Sequence, residues 1–280
     1  MAHLANTPFV NWPAVRYAEL IKLDRLAPRV HLVKLADDSE TRMVAKYASG
    51  DPVKGTIWKE MNILGRQQLH PSILPVECII LDENDCVIGM GTKFIPGGDL
   101  LRNKDRVFKL KWLQQLTEAL DFLHFKQGIV HGDLHLGSIL IDEAADRLVL
   151  CDFSRAREAT QKNLMEEFWG AMWTLYELIT LDFQAEEQQV QKSYAKYGEY
   201  SLDTESIEKL PSWPVRTKLD CDVEILRSYM REWLKKRVET LQFVEPKEPD
   251  PMEILSRHWE AQCEEAIHGC QWRARTIQLN

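Results

Sequence analysis

The sequence predicts an α+β chain in which a small β-rich half precedes a larger helical half. The first hundred residues contain two pairs of strand-like runs around a single helical stretch. From about Lys104 onward, apolar residues instead recur every three or four positions, which is the spacing of amphipathic helices. We therefore expect one bilobal domain over residues 1–280, with a small lobe at 1–95 and a large lobe at 96–280.

In the small lobe, polar turn clusters separate the strand-like runs, so each pair of runs is expected to close as a hairpin. The four runs are Arg29 to Leu35, Met43 to Tyr47, Val76 to Leu81 and Val87 to Phe94. Between the pairs, Ile57, Glu60 and Leu64 lie three and four residues apart, which places them on one helical stripe. A glutamate on such a stripe needs a cationic partner, because burying an unpaired charge is costly. Lys46 is the candidate.

In the large lobe, two long helices and one short strand pair are expected. Leu113, Leu116, Leu120 and Leu123 mark the first helix, and Gly128 supplies its stop signal. The strands Ser138 to Ile141 and Leu148 to Cys151 follow. Leu164, Phe168, Met172, Leu175 and Ile179 mark the second helix. Near the end, three prolines within 245–251 interrupt helix, and Asp250 is a candidate cap for a final one.

Composition argues against several classes of function. The formal charge of −8 and the isoelectric point near 5.6 argue against nucleic acid as a partner, since phosphate binding needs clustered cations. No run approaches the ~18 apolar residues of a membrane span, and the N-terminus does not resemble a secretory leader. We expect no membrane partner and a cytoplasmic or nuclear location. The sequence does not fix the oligomeric state.

The chemistry is concentrated in HGDLHLGSILID at 131–142 and LVLCDFSRAR at 148–157. These segments resemble the catalytic loop and the D-F-G segment of protein kinases. In that family the loop aspartate accepts the proton of the acceptor hydroxyl, and magnesium is held by the D-F-G aspartate and an asparagine. The resemblance implies that Asp133 is the catalytic base and Asp152 a metal ligand. Ser138 stands at the second metal position.

Other motifs follow in the order of that family. MVAK at 43–46 resembles V-A-I-K, which makes Lys46 a phosphate ligand oriented by Glu60. LHPSILPV at 69–76, FIPGGDL at 94–100 and EFWGAMWTLYELIT at 167–180 resemble the helix exit, the hinge and the helix that anchors the catalytic loop. The resemblance spans roughly residues 20–180. The nucleotide-binding residues that it implies are Val30, Lys46, Thr92, Lys93, Phe94, Asp99 and Asp152.

The sequence departs from the family at five places, one of which is Ser154 in place of the glycine of D-F-G. Leu23, Arg25 and Pro28 stand where the glycine-rich loop has its glycines. Ser138 replaces the metal-binding asparagine, and Gly132 replaces the arginine of H-R-D. About fourteen residues separate Asp152 from Glu167 without an A-P-E motif, so the platform for a peptide substrate is short. Weakened nucleotide binding is the expected consequence.

The resulting prediction is an ATP-dependent phosphotransferase that uses Mg²⁺ or Mn²⁺ and phosphorylates a hydroxyl on a protein or a small molecule. One alternative is a pseudokinase, which uses the fold as a nucleotide-binding or scaffold module. The lost glycines and Ser138 favour it, whereas Lys46, Glu60, Asp133 and Asp152 argue against it. A second alternative is a small-molecule kinase, because HGDLH at 131–135 also resembles the loop of aminoglycoside and choline kinases.

Overall fold

The structure is a computed structural model that describes residues 3–7, 9–37, 40–48, 51–66, 70–183, 207 and 212–241. The described part of the chain divides into two compact units. The first takes its residues from Met1–Lys54 and Glu77–Gly91, and the second from Gly55–Val76 and Thr92–Phe243. The predicted α+β fold, with a β-rich unit and a larger helical one, is confirmed. The final helix and its proline-rich approach lie outside the described residues.

Six strands form the sheet of the first unit. They are β1 (Ala14–Arg16), β2 (Leu20–Ala27), β3 (Val30–Leu35), β4 (Arg42–Tyr47), β5 (Val76–Leu81) and β6 (Val87–Lys93). Their order across the sheet is β1-β5-β6-β4-β3-β2. Both predicted strand pairs are therefore neighbours. Strands β2, β3 and β4 pair antiparallel, and β1, which the sequence does not reveal, pairs with β5 in parallel.

A two-residue turn at Pro28 and Arg29 joins β2 to β3, at the place where the family has its glycine-rich loop. Proline presets the first turn position, and Arg29 takes a left-handed φ of 66° at the second. The pairing register shifts twice along β2, between Lys22 and Asp24 and between Arg25 and Ala27. These shifts are β-bulges, which bend a strand and re-aim its side chains.

The register of β3 and β4 sorts their side chains between two faces of the sheet. Val30 lies opposite Lys46, so these two side chains share one face. Because successive side chains alternate, Val33, Ala45 and Tyr47 lie on the other face. That second face carries a hydrophobic cluster whose members are Val33, Met43, Ala45, Tyr47, Cys78 and Ile80. The lysine face is less buried.

The predicted glutamate-bearing helix is present as α1 (Asp51–Arg66), with Ile57 and Glu60 buried. It was expected in the small lobe, but the part from Gly55 onward groups with the second unit. The physical reason lies in its packing. Ile63 and Leu64 pack against the large hydrophobic core of the second unit.

Three further helices and four short strands are found among the described residues of the second unit. They are α2 (Leu110–Asp121), β7 (Ile129–Val130), β8 (Ile139–Asp142), β9 (Arg147–Leu150), β10 (Arg157–Glu158), α3 (Gln161–Thr180) and α4 (Val223–Leu241). A π-helical turn, Phe122–Lys126, continues α2. Gly128 follows it with a left-handed φ of 67°, as the predicted stop signal requires. Strands β8 and β9 form the predicted pair, and β7 pairs antiparallel with β10.

Helices α2, α3 and α4 share one hydrophobic core in the second unit. The rings of Phe168 on α3 and Trp233 on α4 meet edge to face at 5.4 Å. On α2, Asp121 accepts hydrogen bonds from the indole of Trp233 and the guanidinium of Arg237. This packing and these hydrogen bonds join the three helices. In the part of the chain that the structure describes, no helix is long and apolar enough to cross a membrane.

Candidate active site

The first unit carries two of the predicted site residues, Lys46 and Val30. They face each other across β4 and β3, and both side chains are half-buried. The structure thus places the predicted phosphate-binding lysine beside the valine that is expected to cover the nucleotide. The pairing of Lys46 with Glu60 stays a prediction.

In the second unit, Glu60 connects α1 with the segment that starts at Asp152. The side chain of Glu60 is only 2% exposed, and its Oε1 accepts a hydrogen bond from the N–H of Phe153 at 3.1 Å. A buried carboxylate is stabilised by such charge-assisted hydrogen bonds. Glu60 therefore fixes the backbone immediately after the predicted metal ligand.

Asp152 lies two residues after β9 with a left-handed φ of 63°, and its side chain is exposed. Carboxylate oxygens suit Mg²⁺, which is usually held by one or two carboxylates together with substrate phosphates. Asp152 fits that donor set. Within the described residues, no group of three or more His, Cys, Asp or Glu side chains forms a complete metal site.

His131 lies between the two predicted catalytic aspartates. Its buried ring packs on Phe153 at a centroid distance of 4.8 Å. Its Nε2 donates to the carbonyl of Cys151 at 2.9 Å, and its Nδ1 accepts from the N–H of Asp133 at 3.4 Å, so the ring is the neutral Nε2–H tautomer. Burial lowers the pKa of His131, although the charges of Glu167, Asp152 and Asp133 oppose that shift. The negative charges of Asp133 and Asp152 thus both favour the protonated form of the same imidazole ring.

The loop that carries Asp133 is anchored on one buried carboxylate, that of Glu167 on α3. Glu167 accepts hydrogen bonds from the N–H groups of His131 at 2.9 Å and Gly132 at 2.6 Å. It also bonds Nε2 of His124 at 2.5 Å. Burial alone would raise the pKa of Glu167, but His124, His131 and the Gly132 N–H outweigh it, so the pKa is lowered. The ionised carboxylate is the form that this site holds.

Gly132 stands where the family has an arginine, and the backbone explains the replacement. Its φ is +76°, and a Cβ built there would lie 2.4 Å from the carbonyl oxygen of Arg155. Such a distance is far below van der Waals contact, so the residue after His131 must lack a side chain here. The segment after Asp152 runs too close to the loop for any other residue.

We expect Gly132→Ala to destabilise the chain more than Gly128→Ala does. Both glycines have left-handed φ values, but a Cβ at Gly128 meets nothing within 4 Å. The left-handed backbone costs alanine roughly 1–2 kcal/mol at either position. Overpacking at Gly132 adds about 1–3 kcal/mol. Urea denaturation of the two variants measures the difference, and equal losses would contradict the close approach.

Asp133 is half-buried, and its carboxylate forms an ion pair with the guanidinium of Arg155 at 3.6 Å. Ser138 is buried and braces the same loop. Its hydroxyl accepts from the N–H of His135 at 3.1 Å and lies within donating distance of the carbonyls of His135 at 2.9 Å and Asp133 at 3.2 Å. The ring of His135 accepts a hydrogen bond from the N–H of Gly137 at 3.0 Å, so this histidine holds the loop. Metal binding by Ser138 stays a prediction.

The four predicted hinge residues also lie in the second unit. Thr92 is buried and Phe94 half-buried. Lys93 pairs with Asp142 at 2.9 Å, and this hydrogen bond lowers the pKa of Asp142. The carboxylate of Asp99 accepts from the N–H of Arg102 at 2.8 Å and caps the turn that follows the hinge. Binding of a nucleotide by these residues stays a prediction.

Within the second unit, the structure thus brings Glu60, Asp133, Ser138 and Asp152 together around His131 and Phe153. Sequence reasoning missed two residues of this site. Arg155 could have been suspected from the sequence, because it is a cationic residue only three positions after Asp152. His124 could also have been suspected, because it is a polar residue at the end of an apolar helical stripe.

Comparison with known proteins agrees with this architecture. The family described as protein kinase domain matches residues 31–206 of the chain. The match covers more than half of the sequence. It includes strand β4 with Lys46, the loop with Asp133, and the segment with Asp152 and Phe153. The chain belongs to the protein kinase family.

Three curated relatives are similar to parts of the chain. The serine/threonine-protein kinase ppk25 of Schizosaccharomyces pombe is 30% identical over 118 residues, which cover 40% of this chain and 27% of the relative. The serine/threonine-protein kinase SBK1 of Mus musculus is 28% identical over 127 residues, or 42% and 30% of the two chains. A probable serine/threonine-protein kinase of Dictyostelium discoideum is 26% identical over 151 residues, or 49% and 13%. The chain spans less than a third of the length of each relative.

Proposed function

We propose that the chain is an ATP-dependent phosphotransferase whose acceptor is a serine or threonine hydroxyl. The proposal rests on one observation. In the second unit, buried glutamates hold in place, by hydrogen bonds, the two backbone segments that carry Asp133 and Asp152. Glu167 fixes the loop of Asp133, and Glu60 fixes the backbone after Asp152. A phosphotransfer site needs such positioned carboxylates, because its rate comes mostly from positioning and charge stabilisation. The names of the similar kinases support a serine or threonine acceptor.

In the proposed reaction, Asp133 orients the acceptor hydroxyl and takes its proton as the oxygen bonds to the γ-phosphorus. The bond from that phosphorus to the bridging oxygen breaks, and ADP leaves. Lys46 binds the phosphates and offsets their charge. Asp152 would hold Mg²⁺, which neutralises charge on the phosphates when bound. Arg155, beside Asp133, adds positive charge next to the base.

A nucleotide-binding module without transfer is the second candidate, and one observation favours it. The tight turn at Pro28 and Arg29 replaces the loop whose backbone amides approach phosphates closely in the family. Arg29 cannot offer the same access as glycine. On this alternative, nucleotide binds weakly and no phosphate is transferred.

The test combines a binding and a transfer measurement on the full chain. ATP with Mg²⁺ or Mn²⁺ at 100 times its dissociation constant is expected to stabilise the protein by about 2.7 kcal/mol, measured as a thermal shift. Radiolabelled phosphate should then appear on the chain itself or on serine and threonine peptides. Small alcohols in the same panel test the small-molecule alternative. A thermal shift without transfer to any acceptor supports the binding module and refutes the phosphotransferase.

A further inference from the structure

A second candidate binding site lies in the first unit, on the face of the sheet that Lys46 does not share. It is a cavity of about 470 Å³ near the β2–β3 turn. The residues that matter for its chemistry are Tyr17, Lys22, Arg25, Arg29, His31 and Tyr47. His31 and Tyr47 alternate with Val30 and Lys46 along their strands, so they project from the opposite face. The cavity is therefore distinct from the proposed nucleotide face.

The bulges in β2 create this concentration of charge. In a regular strand, Lys22 and Arg25 would project from opposite faces, because they are three positions apart. The register instead pairs Lys22 with Val33 and Arg25 with His31, and both partners lie on the cavity face. Arg29 joins them from the turn. Three cations thus line one opening.

Among the described residues, no carboxylate lines the cavity, and no acidic side chain forms an ion pair with Lys22, Arg25 or Arg29. The nearby carboxylate of Asp24 instead accepts from the backbone N–H of Arg25. The pKa of His31 is lowered by burial and then by the charges of Lys22 and Arg25. The site therefore presents positive charge that no neighbouring side chain in the described part of the chain neutralises.

Two buried polar atoms at the cavity also lack partners. Tyr47 is only 8% exposed, and neither its hydroxyl nor Nδ1 of His31 has a hydrogen-bond partner within the described residues. Burial, with a smaller effect of Tyr17, raises the pKa of Tyr47 to about 12, so its hydroxyl remains a donor at neutral pH. Unsatisfied buried donors are rare in folded proteins, and a bound ligand is one explanation for them.

The aromatic rings define the shape of the site. Tyr17 and Tyr47 meet edge to face at 5.5 Å, and the ammonium of Lys22 lies over both rings at 5.2 and 5.6 Å. These cation–π contacts hold the ammonium at the cavity. A volume of about 470 Å³ also exceeds what a bare anion needs and falls in the range of small-ligand pockets.

We propose that this cavity binds a phosphate monoester, with its phosphate among Lys22, Arg25 and Arg29 and its organic group beside Tyr17. Arginine suits phosphate because its guanidinium matches two oxygens at once. The proposal stands independently of the proposed phosphotransfer. The phosphate could belong to a small metabolite or to a phosphorylated side chain, since both present the same group.

The test is calorimetric titration of the full chain at low salt. The probes are phenyl phosphate and a short phosphoserine peptide, each beside its unphosphorylated counterpart. Both phosphorylated probes should bind, and added salt should weaken them by screening. Tighter binding of phenyl phosphate assigns the site to small esters, whereas tighter binding of the peptide assigns it to a phosphorylated chain.

Three variants locate the binding on the surface. Arg25→Gln should weaken the affinity about tenfold, the equivalent of about 1.4 kcal/mol. Lys34→Gln removes the same charge from the opposite face of β3 and should change the affinity less than about twofold. Lys46→Gln should also leave phenyl phosphate binding unchanged.

Two outcomes overturn the proposal. They are binding that depends on Lys46 rather than Arg25, and equal binding of the unphosphorylated probes. Circular dichroism of each variant checks that the fold is retained.

Discussion

Replacing Asp133 with asparagine should lower the rate of phosphate transfer by roughly 10²–10⁴, the usual effect of losing a general base. Asparagine keeps the size of the side chain but cannot accept the proton of the acceptor hydroxyl. Nucleotide affinity should stay nearly constant, because the proposed phosphate contacts come from Lys46 and from the Mg²⁺ that Asp152 would hold. Steady-state transfer rates and ATP thermal shifts of the parent and the variant measure the two quantities.

The matched control is Asp105→Asn, which makes the same chemical change on an exposed residue of the second unit. Its rate should equal that of the parent. An Asp133→Asn enzyme as fast as the parent would remove Asp133 from the mechanism. A parallel loss of ATP affinity would instead indicate that Asp133 supports the nucleotide site, since a pure base does not contribute to ground-state binding.

Local patterns predicted the regular elements of the fold. The β3–β4 pair is readable because two apolar runs flank a polar turn. The helix of Glu60 is readable because its apolar stripe has a period of 3.6 residues. Strand β2 is not readable, since its two bulges break the alternation that identifies a strand. Strand β1 has three residues and depends on its long-range pairing with β5, which no local pattern encodes.

The candidate site shows the same division between local and long-range information. The motifs around Asp133 and Asp152 are local, so the sequence reveals them. The need for glycine at position 132 comes from the close approach of Arg155, which only the folded chain shows. The basic cavity also escapes sequence reasoning, because Lys22 and Arg25 share a face only as a result of the bulges. Spacing in the sequence predicts the wrong face for one of them.

Replacing Glu167 with glutamine should lower the free energy of unfolding by about 3–5 kcal/mol, the usual cost of breaking a buried ionic pair. The carboxylate serves two backbone N–H groups and His124, and Glu167 is only 6% exposed. Glutamine has one oxygen instead of two, so its amide N–H₂ must face a donor or leave one unsatisfied. Urea denaturation measures the loss.

The neighbouring residue provides the control. The side chain of Glu166 is 46% exposed and pairs with Arg157 at 3.1 Å on the surface of α3. Glu166→Gln should therefore cost less than about 1 kcal/mol. Glu167→Asp retains the carboxylate but shortens the side chain by one methylene. It therefore tests whether the negative charge stabilises the chain when the hydrogen bonds can no longer be reached. Equal costs for Glu166→Gln and Glu167→Gln would refute the anchoring role.

The stabilisation by Glu167 should also depend on pH in a defined direction. Its pKa in the folded chain is lowered by the contacts with His124, His131 and the N–H of Gly132, which outweigh burial. An unfolded glutamate titrates near pH ~4.3, so the folded chain binds fewer protons in that range and stability falls as pH decreases. The difference between parent and Glu167→Gln should be full above about pH 5 and shrink as pH falls through the lowered pKa. A difference that stays constant from pH 7 to pH 3 would show that the carboxylate is not the stabilising form.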